Sequence, residues 1–324
     1  MKLAWLFALV LVAGAGTVPH ADAQAPLPLV AILEPGPKAT PSGGVQHFTE
    51  ALAVLGWVDG RTVRIETRYG EWDPERTTAM AQALLALRPA VLYTHSDRAA
   101  RVAMRATTSV PIVVGAAADL VAVAGLKSLA RPGGNVTGVT ANQPELDRKR
   151  LEVLKGAVPA ITRVAYVFSP DGIPEEALVA LEAAARRLGI KLQRLPVRDP
   201  GQAEAAFAGA VRAAAQGVLV QDTTILARHT DRVIGLAARH RLPAISQIPG
   251  FAERGGLLQY GADVYAMFRQ SAGHVDRILK GARPGDLPIE QPTRISLIVN
   301  QKTAKALGIV LPPVILLRAD QIIE

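Results

Sequence analysis

The sequence predicts an α/β protein of two Rossmann-like, flavodoxin-like lobes whose parallel sheets are joined by a multi-strand hinge. Three observations carry that class. Short apolar runs alternate with amphipathic stretches, the pattern of βαβ units and a parallel sheet. The rhythm closes near Val139 and starts again from Leu146. The 324 residues suit two lobes of about 130–150 residues each, because single hydrophobic cores rarely grow much larger.

Each element has a local reason. Leu29 to Leu33 is a continuous apolar run, hence a strand buried on both faces. Gly44 to Leu55 reads as a helix with Phe48, Leu52 and Leu55 on one side. Thr62 to Tyr69 alternates Val63, Ile65 and Thr67 with Arg64, Glu66 and Arg68, as a strand with a wetter face does. Pro74 to Leu87 is a helix opened by proline. Strand 90–93, helix 96–106, strand 111–114 and helix 120–129 follow, and Val136 to Val139 closes the first lobe. In the second lobe the order is helix 146–158, strand 163–168, helix 174–188, strand 191–197, helix 202–215, strand 217–221, helix 224–239 and strand 243–245. Then the rhythm changes. Strand 257–261 recrosses, Ala262 to Leu279 is a long helix, 284–292 is an irregular link, Ile295 to Val299 is the last strand and Gln301 to Leu307 a short helix. This implies more than one crossover between lobes: residues 24–140 plus about 261–285 form the first, and 141–260 plus about 286–324 the second.

The chain opens with Lys2, an apolar run from Leu3 to Ala15 and Ala21-Asp22-Ala23, which together read as a cleaved signal peptide over residues 1–23. The expected destination is the periplasm. No cysteine is present, so thiol nucleophiles, thiolate metal sites and a lipoprotein anchor are excluded. Although the formal net charge is +8, its basic residues are scattered over helical segments, so no nucleic-acid partner is expected. Arg148-Lys149-Arg150 reads as a solvated helix face.

In parallel α/β sheets, ligands sit beyond the carboxyl ends of the strands. That rule nominates Glu34, Thr94, His95, Ser96, Asp97, Ala117 and Asp119 in the first lobe. In the second it nominates Ser169, Asp222, Thr223 and Gln247, with Tyr260 where the chain recrosses. Helix N-termini at these points suit a carboxylate or phosphate. An ammonium would need a carboxylate such as Asp97, Asp119 or Asp222. Each candidate has a plainer reading. Ser96, Asp119 and Thr223 suit helix N-caps, Asp171-Gly172 a turn, Tyr260 core packing and Glu34 a charged rim. Asn135-Val136-Thr137 matches a glycosylation sequon but lies in a tight turn.

Enzyme signatures are absent. The sequence contains no G-x-S-x-G, Walker loop, H-E-x-x-H or G-x-G-x-x-G, and its six histidines form no helical metal pair. Neither catalysis nor a metal or other cofactor is expected. Aromatic content is 4%, too sparse for the ring stacking typical of sugar sites, which favours a polar or zwitterionic solute.

Several segments resemble one known family. Arg131 to Val139 is similar to the RPGGNVTG signature of the ABC transporter substrate-binding proteins that include tryptophan- and tyrosine-binding receptors. Leu55 to Gly60 resembles its LGYVEGQN segment, Lys149 to Glu152 its KRLELL and Gly255 to Gly261 its GGLMSYG. Gln291 to Thr293 together with Ile298 to Gly308 resembles QPTKFELVINLKTAKALG. The resemblance implies a type I periplasmic-binding fold, a small-molecule ligand (an amino acid or related molecule) in the inter-lobe cleft, hinge closure and no cofactor. It also implies delivery by a monomer to an ABC permease. The loops at Thr94 to Arg98 and Ala116 to Asp119, and the pair Thr140-Ala141, depart from the aromatic-amino-acid branch and leave the ligand open. Two other readings of the same residues are a periplasmic receptor for a signalling partner and an exported α/β hydrolase.

Overall fold

The computed structural model describes residues 26–38, 43–126, 128–170, 173–199 and 201–324. The signal-peptide segment 1–23 and Asp171-Gly172 lie outside the described residues.

The first half alternates β1 (Leu29–Glu34), α1 (Gly44–Val54), β2 (Arg64–Tyr69), α2 (Pro74–Ala86), β3 (Val91–Thr94), α3 (Asp97–Ala106), β4 (Ile112–Ala117), α4 (Leu120–Ala124) and β5 (Val136–Thr140). Its five strands lie in the order β2-β1-β3-β4-β5, all parallel. The second half runs α5 (Gln143–Ala157), β6 (Arg163–Phe168), α6 (Glu175–Arg187), β7 (Lys191–Pro196), α7 (Gln202–Arg212), β8 (Gly217–Val220), α8 (Thr224–Arg228), α9 (Thr230–Arg239), β9 (Ala244–Ser246) and β10 (Leu258–Ala262). These strands repeat the same order, β7-β6-β8-β9-β10, again all parallel. The chain returns to the first sheet as α10 (Val264–Leu279). Then β11 (Ile295–Asn300) pairs antiparallel with β10, and α11 (Gln301–Leu307), α12 (Pro313–Leu317) and β12 (Gln321–Ile323) complete the second half.

Hydrophobic burial on both faces of each sheet builds these layers. Val30 and Ile32 of β1 pack with Phe48 and Leu52 of α1 and with Phe268, Ala272 and Val275 of α10. Ala31 and Leu33 face the other way, toward Leu84 of α2 and Ala99 and Ala103 of α3. In the second half, Tyr166 and Phe168 stack with ring centroids 5.0 Å apart over the cluster shared with α5 and α6, while Ala165 and Val167 face Phe207 and Val233.

The chain passes between the sheets three times: at 140–143, at 262–264 and at 290–295. Before the last passage, Glu290 still bridges Val139 of β5. The middle passage is fixed by Asp263, whose side chain caps α10 by accepting from the Tyr265 and Ala266 amides.

Some elements differ from the sequence reading. The helix expected over 120–129 stops at Ala124, where Gly125 in the left-handed region closes it. The helix expected over 224–239 is broken at His229 into α8 and α9. Helix α5 starts one turn before the expected Leu146, with Pro144 in its first turn. Neither α12 nor β12 was expected. Pro312-Pro313 reads as a breaker although Pro313 opens α12, and β12 is only three residues long. Among the described residues, no helix is long and apolar enough to cross a membrane.

Candidate functional site

In each sheet the chain reverses winding direction between two neighbouring strands, and the crevice beyond their carboxyl ends is where open α/β sheets hold ligands. In the first half that point lies between β1 and β3. Glu34 ends β1 and is fully buried, not a rim residue. Its Oε1 accepts from the Gly36 amide at 2.9 Å, and its Oε2 lies 2.7 Å from Nε2 of His95, which follows β3. The His95 ring meets Phe268 edge-on at 5.3 Å. Thr94, fully buried, donates its hydroxyl to the Leu33 carbonyl at 3.0 Å.

The remaining first-half candidates are tied to the fold. Ser96 caps α3 through the Ala99 amide, and Asp119 caps α4 through Ala122. Asp97 accepts from the Ala118 amide at 2.8 Å and also from Asp119. Burial pushes the Asp97 carboxyl up from the usual carboxylate range, against the pull of those amides. Ala117 is buried at the tip of β4.

The equivalent point in the second half lies between β6 and β8. The Ser169 amide donates to Oε1 of Gln221 at 3.2 Å, spanning it. Thr223 caps α8 through the Leu226 amide. Beside them lies a buried polar chain. Tyr166 Oη donates to Asp147 at 2.9 Å, Arg150 Nη1 donates to Asp147 at 2.6 Å, and Arg150 Nε donates to the Tyr260 carbonyl at 2.7 Å. Arg150 Nη2 donates to Gln247 Oε1, and the Gln247 side chain lies beside the half-buried Asp222, whose charged form it favours. Burial raises the Tyr166 hydroxyl well above its ordinary value, reinforced by Asp147. It also raises Asp147 and Asp222, in both cases against the nearby Arg150 guanidinium. The Tyr260 side chain packs on the core cluster of its half, while its carbonyl holds Arg150.

Arg150 corrects the reading of 148–150 as a solvated face. Lys149 is exposed and Arg148 partly so, but Arg150 is completely buried. The signal was spacing: Gln143, Asp147, Arg150, Leu151 and Leu154 fall on one face of α5, and all are buried. Charge composition alone hid that face.

The loop beyond β2 meets the end of α8, the helix that follows β8. Cζ of Arg228 lies 5.4 Å from the centroid of the Trp72 ring, so the carboxyl ends of the two sheets face each other. Two cavities lie elsewhere. One of about 310 Å³ lies between α9 and α11, and one of about 340 Å³ lies over β10, β11 and β12. Of the candidates named above, only Gln247 lines either.

The 131–139 signature has a structural role. Gly138 adopts φ 145°, and a Cβ there would stand 2.1 Å from the Val114 carbonyl oxygen, so only glycine lets β5 approach β4. The Asn135 side-chain amide donates to the carbonyls of Thr107 and Val110, which commits the sequon asparagine to the fold.

Comparison with known proteins points one way. A family model described as ABC transporter substrate binding protein matches residues 30–323. A tyrosine-binding protein of Clostridioides difficile (strain R20291) is 25% identical over 262 residues, covering 80% of this chain and 75% of that protein. A conserved domain protein from Vibrio cholerae superposes with a TM-score of 0.82 at 23% identity, covering 91% of this chain and 99% of its own. An ABC domain from Streptococcus pneumoniae in complex with L-Trp gives a TM-score of 0.82 at 22% identity, covering 92% and 100%.

Proposed function

The chain belongs to the ABC transporter substrate-binding protein family, and from that premise we propose that it carries a small polar solute between its two sheets to a membrane permease. The family consists of solute-binding proteins, which act without catalysis. The observation that carries the reading is a pair of polar centres, Glu34 with His95 at the first winding reversal and Asp222 with Gln247 beside the second, on halves that touch through Trp72 and Arg228.

Mechanistically, the two sheets act as lobes joined by the three passages. The chain up to residue 140 with about 263–290 moves against 141–262 with about 291–324, since Leu287, Ile289 and Glu290 pack on the first half. A solute touching both tips favours the closed form by the contacts it makes only there. The solute is an amino acid or a related small organic molecule. The C. difficile protein, a tyrosine-binding protein by name, supports that class. The sparse, mostly core-committed aromatic residues support a polar solute over a sugar. The protein works as a monomer in the periplasm, exported by the 1–23 segment, with no nucleic-acid partner and no cofactor.

The test is calorimetry against amino acids, small organic acids, amines and neutral polyols, with solution scattering on each mixture. A member of the panel that binds and compacts the protein is the expected result. Tight binding without compaction would break the closure mechanism, and silence across the panel would break the reading itself.

A further inference from the structure

The second half has a face that the solute reading leaves unused, the side of its sheet away from the strand tips. In a parallel sheet the strands all begin on one side, and the helices that feed them end there. That side gathers cations that lie scattered along the chain. Arg186 and Arg187 close α6, and Arg212 closes α7. Arg163 opens β6 and Lys191 opens β7. Arg241 stands between α9 and β9, and Lys302 follows the end of β11, which antiparallel pairing with β10 brings to the same side. All seven are exposed, and none of them makes an ion pair among the described residues.

Acids are missing from this side. The connections 158–162, 188–190, 213–216 and 240–243 contain no Asp or Glu, and neither do the last turns of α5, α6, α7 and α9. A cation at a helix C-terminus offsets the dipole there, which accounts locally for Arg186, Arg187 and Arg212. It does not account for cations at strand starts or in the wall of a cavity. Arg241 and Lys302 both line the cavity of about 310 Å³ between α9 and α11. The corresponding side of the first half is mixed. Asp59 and Arg61 share one turn there, and Asp276 pairs with Lys280 at 2.7 Å.

Aliphatic side chains share the basic face. Val211 is exposed next to Arg212 at the end of α7. Ile315 of α12 packs where α5 ends, since a Cβ on Gly156 would stand 3.1 Å from its Cδ1. That places Val310 and Val314, 91% and 56% exposed, beside the same rim. No Phe, Tyr or Trp lies in the four connections, so they offer no ring for stacking nucleic-acid bases. Cations without acids, set among protruding aliphatic groups, match the headgroups and outer acyl region of an anionic bilayer.

We propose that this side of the second half docks on an anionic phospholipid surface, its cations meeting headgroups while Val310 and Val314 enter the interface. The contact stands apart from the solute reading, because it lies opposite the strand tips and leaves the space between the halves open.

Flotation of the exported protein with vesicles tests the assignment. One set is phosphatidylcholine alone, and the other contains about a third phosphatidylglycerol. The protein should float with the anionic vesicles, and added salt should release it by screening the charges. Each cation near an anionic surface is worth about fivefold in affinity, so Arg186→Gln, Arg187→Gln and Lys191→Gln together should weaken binding about 100-fold. Arg61→Gln, Arg64→Gln and Arg105→Gln remove the same charge from the first half and should change it less than about threefold. Val310→Ser with Val314→Ser should weaken binding and keep its salt dependence. All these side chains are exposed, so folding is not at stake. Equal uptake by neutral vesicles, equal losses from the two triple variants, or tighter binding to double-stranded DNA than to anionic vesicles would overturn the assignment. Unchanged affinity in the double valine variant would overturn its aliphatic part.

Discussion

At the reversal point of the first sheet, a fully buried carboxylate, Glu34, is met by an amide and an imidazole. Beside the same point of the second sheet, Asp222 lies next to the Gln247 side chain, behind which stand a buried guanidinium, a second carboxylate and a phenol. Five parallel strands follow the same order in both. The difference teaches that a repeated scaffold need not repeat its electrostatics. One half holds its buried carboxylate with its own groups, and the other backs a half-buried carboxylate with a buried charged pair.

The largest predicted effect tests the second half. Arg150→Leu leaves Asp147 buried without its counter-ion and should cost about 3–5 kcal/mol in urea unfolding. A loss below about 1 kcal/mol would mean that the buried chain of contacts does not organise that half. Next, Gly138→Ala should destabilise the first half by about 2–3 kcal/mol, because its Cβ has no room against Val114. Its effect on hydrogen exchange should be confined to β4 and β5.

A smaller effect separates the halves by pH. His274 of α10 is fully buried, with Nε2 at 3.0 Å from the Pro288 carbonyl and no partner at Nδ1 among the described residues. Burial lowers its pKa below the ordinary 6.5, outweighing the Pro288 carbonyl and nearby Glu290. The unfolded chain therefore takes up a proton that the folded chain resists. Stability from this site is present above pH 6.5 and declines as the pH falls from there toward the lowered folded value. His274→Leu should flatten that slope in unfolding measured from pH 7.5 to about 5, while leaving the second half unchanged. The smallest effect concerns the meeting of the halves. Trp72→Leu removes a contact between the half-buried Trp72 and the exposed Arg228 worth about 0.5–1 kcal/mol, and should expand the ligand-free protein in scattering with little change in unfolding.

Much of this organisation was legible in the sequence. Apolar runs such as Leu29 to Leu33 and Val164 to Phe168, bounded by turn residues and rich in β-branched and aromatic side chains, mark buried strands, and the observed strands lie within a residue of them. The rule that ligands gather at strand tips names Glu34, His95 and Asp222, which the fold sets at or beside its winding reversals. It could not tell which acids were already engaged, because the Asp97–Ala118 and Glu34–Gly36 contacts depend on how loops fold back. Arg150 was hidden by its charged neighbours, although the stripe from Gln143 to Leu154 marks its face as buried. Helix α12 and strand β12 escaped because their residues make sense only beside a sheet already formed.

The central claim is that one solute bridges both sets of strand tips, and hydrogen exchange with a saturating panel ligand tests it most directly. Slower exchange at residues 34–38 and 94–97 together with 169–170 and 221–224 is the predicted result. Protection confined to one half, or to the cavities beside α9 or over β10 to β12, would contradict it.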